Sequence, residues 1–387
     1  MTKKNVLPIG FVHRNDFDGM CSGALLQKYF NNQIEIHPLD YGDKELRSDT
    51  AFLDAFDVKG RDVYICDFHL KPSLLKKVVD LSHLTTWLDH HKSAVDEIVA
   101  SPWYKRGVKA LLKGEEVKDF NKLVGLWYGG EGLPFSGAYL TWAWLFNHGD
   151  AGFVANETFG DNGDLIREYQ LPPTAVSPDT FAPMNPLDQP NFAWNKTSQF
   201  IRNIAIADTH CIEFGYGPAI EIFQYGMKAI GLSFDTPDMW KALLSDLDND
   251  GLASYDDIAK KNELTEQIEA MGMAVYQYNQ RYEFPRINSA AFHIKLSVNG
   301  KNVKILALNV NGYNSEVFEP IYNPETEDAF LMYFYKNDHW SYSVYVPEDK
   351  KDKVSAVDII RSFDETGGGH AGAAGGSSEK LLKELQR

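Results

Sequence analysis

At 387 residues the chain is long enough for two or three domains of ordinary size, each with its own buried core. Hydrophobic residues at 44% and charged residues at 24% exclude a disordered or fibrous protein. With 38 Lys and Arg against 54 Asp and Glu, the formal net charge of -16 excludes a protein that neutralises long nucleic acid over a broad basic surface, but not one that grips a small anion or a short strand locally.

In chain order, Val6 to Val12 reads as a short apolar strand, and after His13-Arg14-Asn15-Asp16-Phe17-Asp18-Gly19 the stretch Met20 to Phe30 reads as a helix. The same pattern returns three times: Val63 to Cys66 runs into Asp67, Thr85 to Leu88 into Asp89-His90-His91, and the mostly apolar Asn203 to Ala207 into Asp208. Buried parallel strands are continuous apolar runs, and open α/β sheets bind ligands just beyond the carboxyl ends of their strands. Four acidic strand ends are therefore expected to face one crevice. Ser136 to Phe146 is helix-like, and a Pro/Asn-rich stretch from Leu171 to Asn195 reads as a long surface loop or insertion.

From Asp238 to about Tyr282 the pattern is helical and polar, as in a connector, with a boundary near Phe284-Pro285. Ala290 to Val298, Val303 to Val310, Ala329 to Tyr335 and Trp340 to Val346 then alternate like strands, with Asn299-Gly300 as a hairpin turn. A helix from Val354 to Phe363, a Gly-rich loop from Thr366 to Gly376 and a final charged helix complete the chain. The expected fold is α/β. A mostly parallel sheet flanked by helices occupies residues 1–235, with an insertion at about 150–200. A helical connector spans 236–284, and a smaller α/β domain with the Gly-rich loop spans 285–387.

Three cysteines, Cys21, Cys66 and Cys211, lie far apart without a CxxC pair, which suggests neither a disulfide framework nor a thiolate zinc site and points to a reducing cytoplasm. No apolar run approaches the ~18–20 residues that span a bilayer, and Asp16 arrives before a signal-peptide core can develop. No membrane partner is expected. Cys21 and Cys66 read as buried small residues rather than nucleophiles.

The chemistry-bearing set is His13, Asp16, Asp18, Asp67, Asp89, His90, His91 and Asp208. Several carboxylates sharing one crevice need positive charge among them, because like charges a few ångströms apart raise each other's pKa. A divalent cation supplies it. Carboxylate and imidazole ligands without thiolate favour Mn²⁺, Mg²⁺ or a similar ion, and this many ligands suit two ions bridged by one carboxylate. A lone Asp after a strand is more often a cap or turn residue, and a His-His pair is often plain surface; the recurrence of the pattern weakens both readings.

These residues together resemble the DHH phosphoesterase family with its DHH-associated C-terminal domain. The resemblance rests on Asp16-x-Asp18-Gly19, the isolated Asp67, Asp89-His90-His91, the isolated Asp208 and the terminal GGGHAGAAGG run from Gly367 to Gly376, five motifs in family order over nearly the whole chain. The layout is most like the bacterial nano-RNase (oligoribonuclease) branch, which degrades very short oligonucleotides and in some members dephosphorylates adenosine 3',5'-bisphosphate or opens cyclic-dinucleotide products. The resemblance implies a metal-dependent phosphoesterase with two divalent cations, Mn²⁺ first and Mg²⁺ or Co²⁺ as alternatives. It casts His13, Asp16 and Asp67 as ligands of one ion and Asp18, Asp67, His90 and Asp208 as ligands of the other, with Asp67 as the bridge. Asp89 then orients a ligand, and His91 faces the substrate as a catalytic residue alongside Asp67. Gly367, Gly368, Gly369 and His370 would contact substrate, in a cleft between the two domains. A short oligonucleotide or small nucleotide is the implied partner, with no long duplex DNA, and a homodimer is compatible with the layout.

Two positions depart from the family pattern. His13 and Asp16 are three apart where two or four is usual, and Tyr345 stands where the related branch often has an Arg. Gly367-x-Gly369-x-x-Gly372 formally matches a dinucleotide fingerprint, but too few residues follow it for a complete βαβ unit. Asp246 to Asp257 nearly fits a calcium loop, and is read instead as a polar turn in the connector. His69 and His210 are read as neighbours of the ligands. Alternatives to the phosphodiesterase are a pyrophosphatase or polyphosphatase and a non-catalytic nucleic-acid-binding scaffold.

Overall fold

A computed structural model of the chain describes residues 6–112, 122–127, 135–147, 154–159, 165–170, 197–209, 218–245, 247, 263–313, 315–336, 338–365, 367–369 and 371–386. It divides into two compact units, Met1–Val275 and Tyr276–Arg387. Among the described residues no helix is long and apolar enough to cross a membrane.

The first unit is built on a five-stranded sheet in the order β2-β1-β3-β4-β5, from β1 (Ile9–His13), β2 (Glu35–Leu39), β3 (Asp62–Cys66), β4 (Leu84–Asp89) and β5 (Leu123–Trp127). Every pairing is parallel. Side chains alternate across a strand, and the alternation sorts the core into two layers. Ile9, Phe11, Val63, Ile65 and Trp87 pack on one face with α2 (Asp49–Ala55), α3 (Pro72–Leu81) and α4 (Lys92–Ala100). Val12, Cys66 and Leu88 pack on the other with α1 (Phe17–Tyr29) and a second set of helices. Those helices follow α5 (Pro102–Leu112) in the chain and are α6 (Gly137–Phe146), α7 (Gln199–Thr209), α8 (Pro218–Ala229), α9 (Pro237–Leu243) and α10 (Glu263–Tyr278). Because all five strands run one way, the carboxyl ends of β1, β3 and β4 share one edge.

Asn203 to Ala207 is not a strand. It lies within the helix Gln199–Thr209, so Asp208 sits in the last turn of a helix, and of the four predicted acidic strand ends this one is not a strand end. The spacing explains the difference: Phe200, Ile201, Ile204 and Ala205 recur at the helical period and are all buried, while Arg202 and Asn203 interrupt any continuous apolar run.

The stretch 236–284 is divided rather than a free-standing connector. Trp240 and Leu243 on α9 and Ile268 on α10 are buried in the first unit's core. Gly226 and Gly272 let α8 and α10 approach until the backbone of one meets the other, where a Cβ on either glycine would collide with a carbonyl oxygen. The insertion contains an antiparallel hairpin, β6 (Val154–Phe159) with β7 (Leu165–Gln170). The Leu171–Asn195 loop lies outside the described residues. So does the calcium-like loop except Leu247, which is buried in the core.

The second unit has a six-stranded mixed sheet in the order β12-β13-β11-β10-β9-β8, with β8 (Phe292–Val298), β9 (Lys301–Asn309), β10 (Ala329–Lys336), β11 (His339–Tyr345), β12 (Gly368–Gly369) and β13 (Ala373–Ser378). Asn299 and Gly300 both take positive φ, at 50° and 75°, as a tight β8–β9 hairpin requires. Ile305, Leu331 and Val344 face α12 (Ala356–Arg361), while Leu308, Phe330 and Met332 face Phe284 and Ile287 of α11 (Phe284–Asn288). The Gly-rich run forms an edge hairpin, with Gly368 opposite Gly375 and β13 paired along β11. The final charged segment is a single tight turn, Lys383–Leu385, rather than a helix of several turns.

Candidate metal centre

The crevice is assembled from the first turn outward. Asp16 caps α1, its Oδ1 accepting from Gly19 N at 2.8 Å. Gly19 has no Cβ because one would strike the carbonyl and Cβ of His13, so its absence lets the first turn of α1 sit against the end of β1. His13 Nδ1 consequently lies against Asp16 Oδ2 as an ion pair. Burial lowers the His13 pKa, but the Asp16 carboxylate outweighs it and the net direction is up. Asp16 moves down for the reciprocal reason, with His13 overcoming its burial.

Asp18, in the first turn of α1, is 1% exposed and accepts from the first amides of α6, Gly137 N to Oδ2 at 2.6 Å and Ala138 N to Oδ1 at 2.9 Å. A helix N-terminus suits an anion. Burial first and the Asp208 carboxylate second nevertheless push Asp18 up to about 6, with His90 opposing.

Asp67 follows β3 directly. Its N donates to Leu88 O at 2.8 Å, which continues the ladder to β4, and its φ of 51° turns the chain out of the sheet. The side chain is 1% exposed, and neither carboxylate oxygen has a hydrogen-bond partner among the described residues. Burial and the charges of Asp18, Asp16, Asp208 and Asp89 push its pKa well above the carboxylate range. Gly137 also matters here, because a Cβ on it would collide with Cβ of Asp67.

Asp89, fully buried, has one oxygen well supplied where Asp67 has none, while its Oδ2 has no hydrogen-bond partner among the described residues. Its Oδ1 accepts from His90 N at 2.8 Å, His91 N at 3.2 Å and His91 Nδ1 at 2.7 Å. Burial raises its pKa, but the His91 charge and hydrogen bond, then His90, hold it at about 2. His90 Nε2 stands 3.0 Å from Asp208, 3.3 Å from Asp67 and 3.8 Å from Asp18, converging on all three without a well-directed hydrogen bond to any described residue. Burial lowers its pKa, yet Asp208 and Asp18 carry it to about 9.

Among the described residues three groups bring ligand atoms within 4.8 Å of one another: His13, Asp16 and Asp67; Asp67, His90 and His91; and Asp18, His90 and Asp208. The sequence-predicted set thus meets in one place, although its elements are far apart in the chain. Gly367, Gly368 and Gly369 lie in the second unit, with Gly368 and Gly369 exposed, and His370 and His210 lie outside the described residues. Cys66 is buried, which pushes its thiol up to about 12, and Cys21 is buried as well.

Two contributors are legible only in three dimensions. Gly137 and Ala138 supply the amides that hold Asp18, and their sequence signal was only a helix-starting Ser136 followed by a residue small enough for close approach. Tyr41, in the turn after β2, hydrogen-bonds His69 Nδ1 at 2.9 Å and stacks on Phe68. His69 is therefore tied to Tyr41 rather than to the ligand set, and burial moves its pKa down.

Fold and site define an α/β protein with a carboxylate and imidazole cluster at the carboxyl edge of a parallel sheet, followed by a second, mixed-sheet unit. No protein-family model matches the sequence, and no curated protein matches it. Among solved structures the chain is similar to a pGpG-specific phosphodiesterase, PggH, from Vibrio cholerae, with 14% identity and a TM-score of 0.42 over 96% of this chain and 93% of that one. It is also similar to exonuclease RecJ bound to manganese, at 14% and 0.41 over 95% and 85%. An exopolyphosphatase-related protein from Bacteroides fragilis stands at 12% and 0.36 over 97% and 88%. The functional reading below rests on this chain's own residues.

Proposed function

We propose that the chain is a two-metal phosphodiesterase acting on short oligonucleotides or related small nucleotides. The observation that carries the reading is Asp67, a buried carboxylate with neither oxygen hydrogen-bonded among the described residues, set between His13 and Asp16 on one side and His90 on the other. Left in that state the carboxyl is driven toward its neutral form, and a cation is the partner that would restore its charge and that its surroundings fit. The donors are carboxylate oxygens and imidazole nitrogens, the set that suits Mn²⁺, Mg²⁺ or Co²⁺.

His13, Asp16 and Asp67 would hold one ion and Asp18, Asp67, His90 and Asp208 the other. When bound, such a pair supplies an activated water and stabilises charge on a phosphoryl group. The chain's own residues do the rest. Asp67 belongs to both ligand sets and fixes their separation. Asp18 is kept in place by the two amides of α6. Asp89 takes the Nδ1 end of His91, which leaves the Nε2 end of a 40% exposed side chain to donate to a phosphate oxygen or to the leaving oxygen. In the second unit, the exposed backbone of Gly368 and Gly369 is a proposed anion contact.

Short substrates follow from the net charge of -16, because charge on the substrate is met by a local centre rather than a basic surface. The resemblance in motif order supports nucleotides as the class. The test is the purified chain with Mn²⁺, offered labelled dinucleotides, longer strands and pyrophosphate. Release of mononucleotides from the shortest strands, abolished by chelation, is expected. Silence on every phosphodiester overturns the reading, and faster turnover of pyrophosphate replaces it with a pyrophosphatase.

A further inference from the structure

We propose that Tyr41 is a stacking platform for a base of the substrate, which makes this centre selective for nucleotides over pyrophosphate and polyphosphate. The inference rests on the hydrolytic reading above and adds the substrate group that the first unit recognises.

Tyr41 lies just past the carboxyl end of β2, the neighbour of β1, on the same edge as the ligands. Its ring stacks on Phe68, the residue after Asp67, with centroids 4.8 Å apart and planes 17° from parallel. The His13 ring is 5.5 Å away and the His69 ring 4.9 Å. Phe68 is fully buried, yet Tyr41 is 46% exposed. The ring is therefore backed by the buried Phe68 while the residue keeps nearly half of its surface exposed, beside residues that would hold a metal.

The turn that presents it is braced at several points. Asp43 Oδ1 accepts from Arg14 Nη2 at 2.8 Å, Asp43 Oδ2 from Asp40 N at 2.9 Å, and Asp40 O from Asp43 N at 2.9 Å. The Tyr41 hydroxyl shares a hydrogen bond with His69 Nδ1 at 2.9 Å. An ordinary surface tyrosine points its hydroxyl to water and lays its ring on the protein. Here the hydroxyl is held by His69 and the ring by Phe68, which fixes the ring's orientation while the residue stays exposed. A ring ordered before binding loses little entropy when a base stacks on it. Base–aromatic stacking tolerates every base, as a broad-range enzyme for short strands requires. Pyrophosphate and polyphosphate have nothing to place there.

The experiment is calorimetry on the full chain with Mn²⁺, using AMP and ribose 5-phosphate as probes that differ only in the base. The wild type is expected to bind AMP about ten-fold tighter or more. Tyr41→Leu keeps apolar packing on Phe68 and should bring that ratio close to one, while Tyr41→Phe, which retains a ring, should keep the preference. A wild type without preference overturns the inference, as does a Tyr41→Leu variant that retains it or that weakens both probes equally. A preference for AMP that survives alongside silence on every phosphodiester upholds the platform and sinks the hydrolytic reading alone.

Discussion

Glu327 and Asp328 in the second unit are nearly as buried as Asp67 and Asp18 in the first, at 3% and 5% exposed against 1% each. Their surroundings differ in kind. Glu327 accepts from His293 Nε2, Thr326 Oγ1 and Asn323 N, all at 2.6 Å, and Asp328 accepts from Lys353 Nζ and Lys304 N. These partners overcome burial and hold both carboxyls below their ordinary range. Asp67 has no such partner among the described residues and moves the other way. Acids that serve the fold come with protons and charges supplied by the fold. Asp67, proposed above to await a cation, has no hydrogen bond to its carboxyl oxygens from the described residues, and the chain bears that cost.

The comparison breaks most visibly at Asp67. Asp67→Asn should lower phosphodiester turnover by at least about 10³-fold while leaving the metal-free protein as stable as the wild type or more so, because Asn resembles the neutral carboxyl that burial and the neighbouring acids favour without metal. Activity assays paired with thermal melts check this, and a large loss of metal-free stability would place Asp67 with the structural acids. Saturating Mn²⁺ should stabilise the wild type by about 2.7 kcal/mol at a concentration of 100 times Kd, and should not stabilise Asp67→Asn comparably. Glu327→Gln, by contrast, should destabilise by about 1–3 kcal/mol with the Mn²⁺ shift intact. Asp89→Asn, which loosens His91 without removing a ligand, should cost about 10–100-fold in metal affinity or activity, read by metal titration and kinetics.

A smaller and graded effect comes from pH. In the metal-free protein Asp18 stands at about 6 against an ordinary 3.8, so the folded form holds this proton more tightly than the unfolded chain, and stability falls as pH rises from about 4 through 6. His90, at about 9 against 6.5, contributes stability that is complete below about 6.5 and lost as pH climbs through 9. Asp89, held at about 2, stays ionised throughout. Urea midpoints of chelated protein should therefore decline from about pH 4.5 to about 9, and excess Mn²⁺ should flatten the lower part of that decline. A metal-free profile that is level or rising would show that the two units treat their acids alike.

The strands that lead into the candidate site were legible because buried parallel strands are short and apolar and stop abruptly at a polar residue, as at Cys66-Asp67 and Leu88-Asp89. The stretch before Asp208 misled for the same reason, since four or five apolar residues in a row fit a buried helix as well as a buried strand. Only the wider spacing from Phe200 to Ala205 decides for the helix. The Gly-rich run was read as a loop because glycine weakens any local preference, and its pairing with β11 comes from a strand about thirty residues earlier. Asp18's grip by Gly137 and Ala138 joins positions 119 and 120 apart, which no window along the chain contains.

The sequence by itself determined which residues can serve as ligands, that they follow short apolar segments, and that the chain changes character near its last hundred residues. These are properties of composition, period and order. Tertiary structure alone decided that the Asp67 carboxyl would receive no hydrogen bond from the described residues while Asp89 received three, that a helix end rather than a strand end would deliver Asp208, and that Tyr41 would stand braced beside His13. Each of these depends on distances between segments remote in the chain, and such distances are set by packing of the sheet against its two layers of helices rather than by any local pattern.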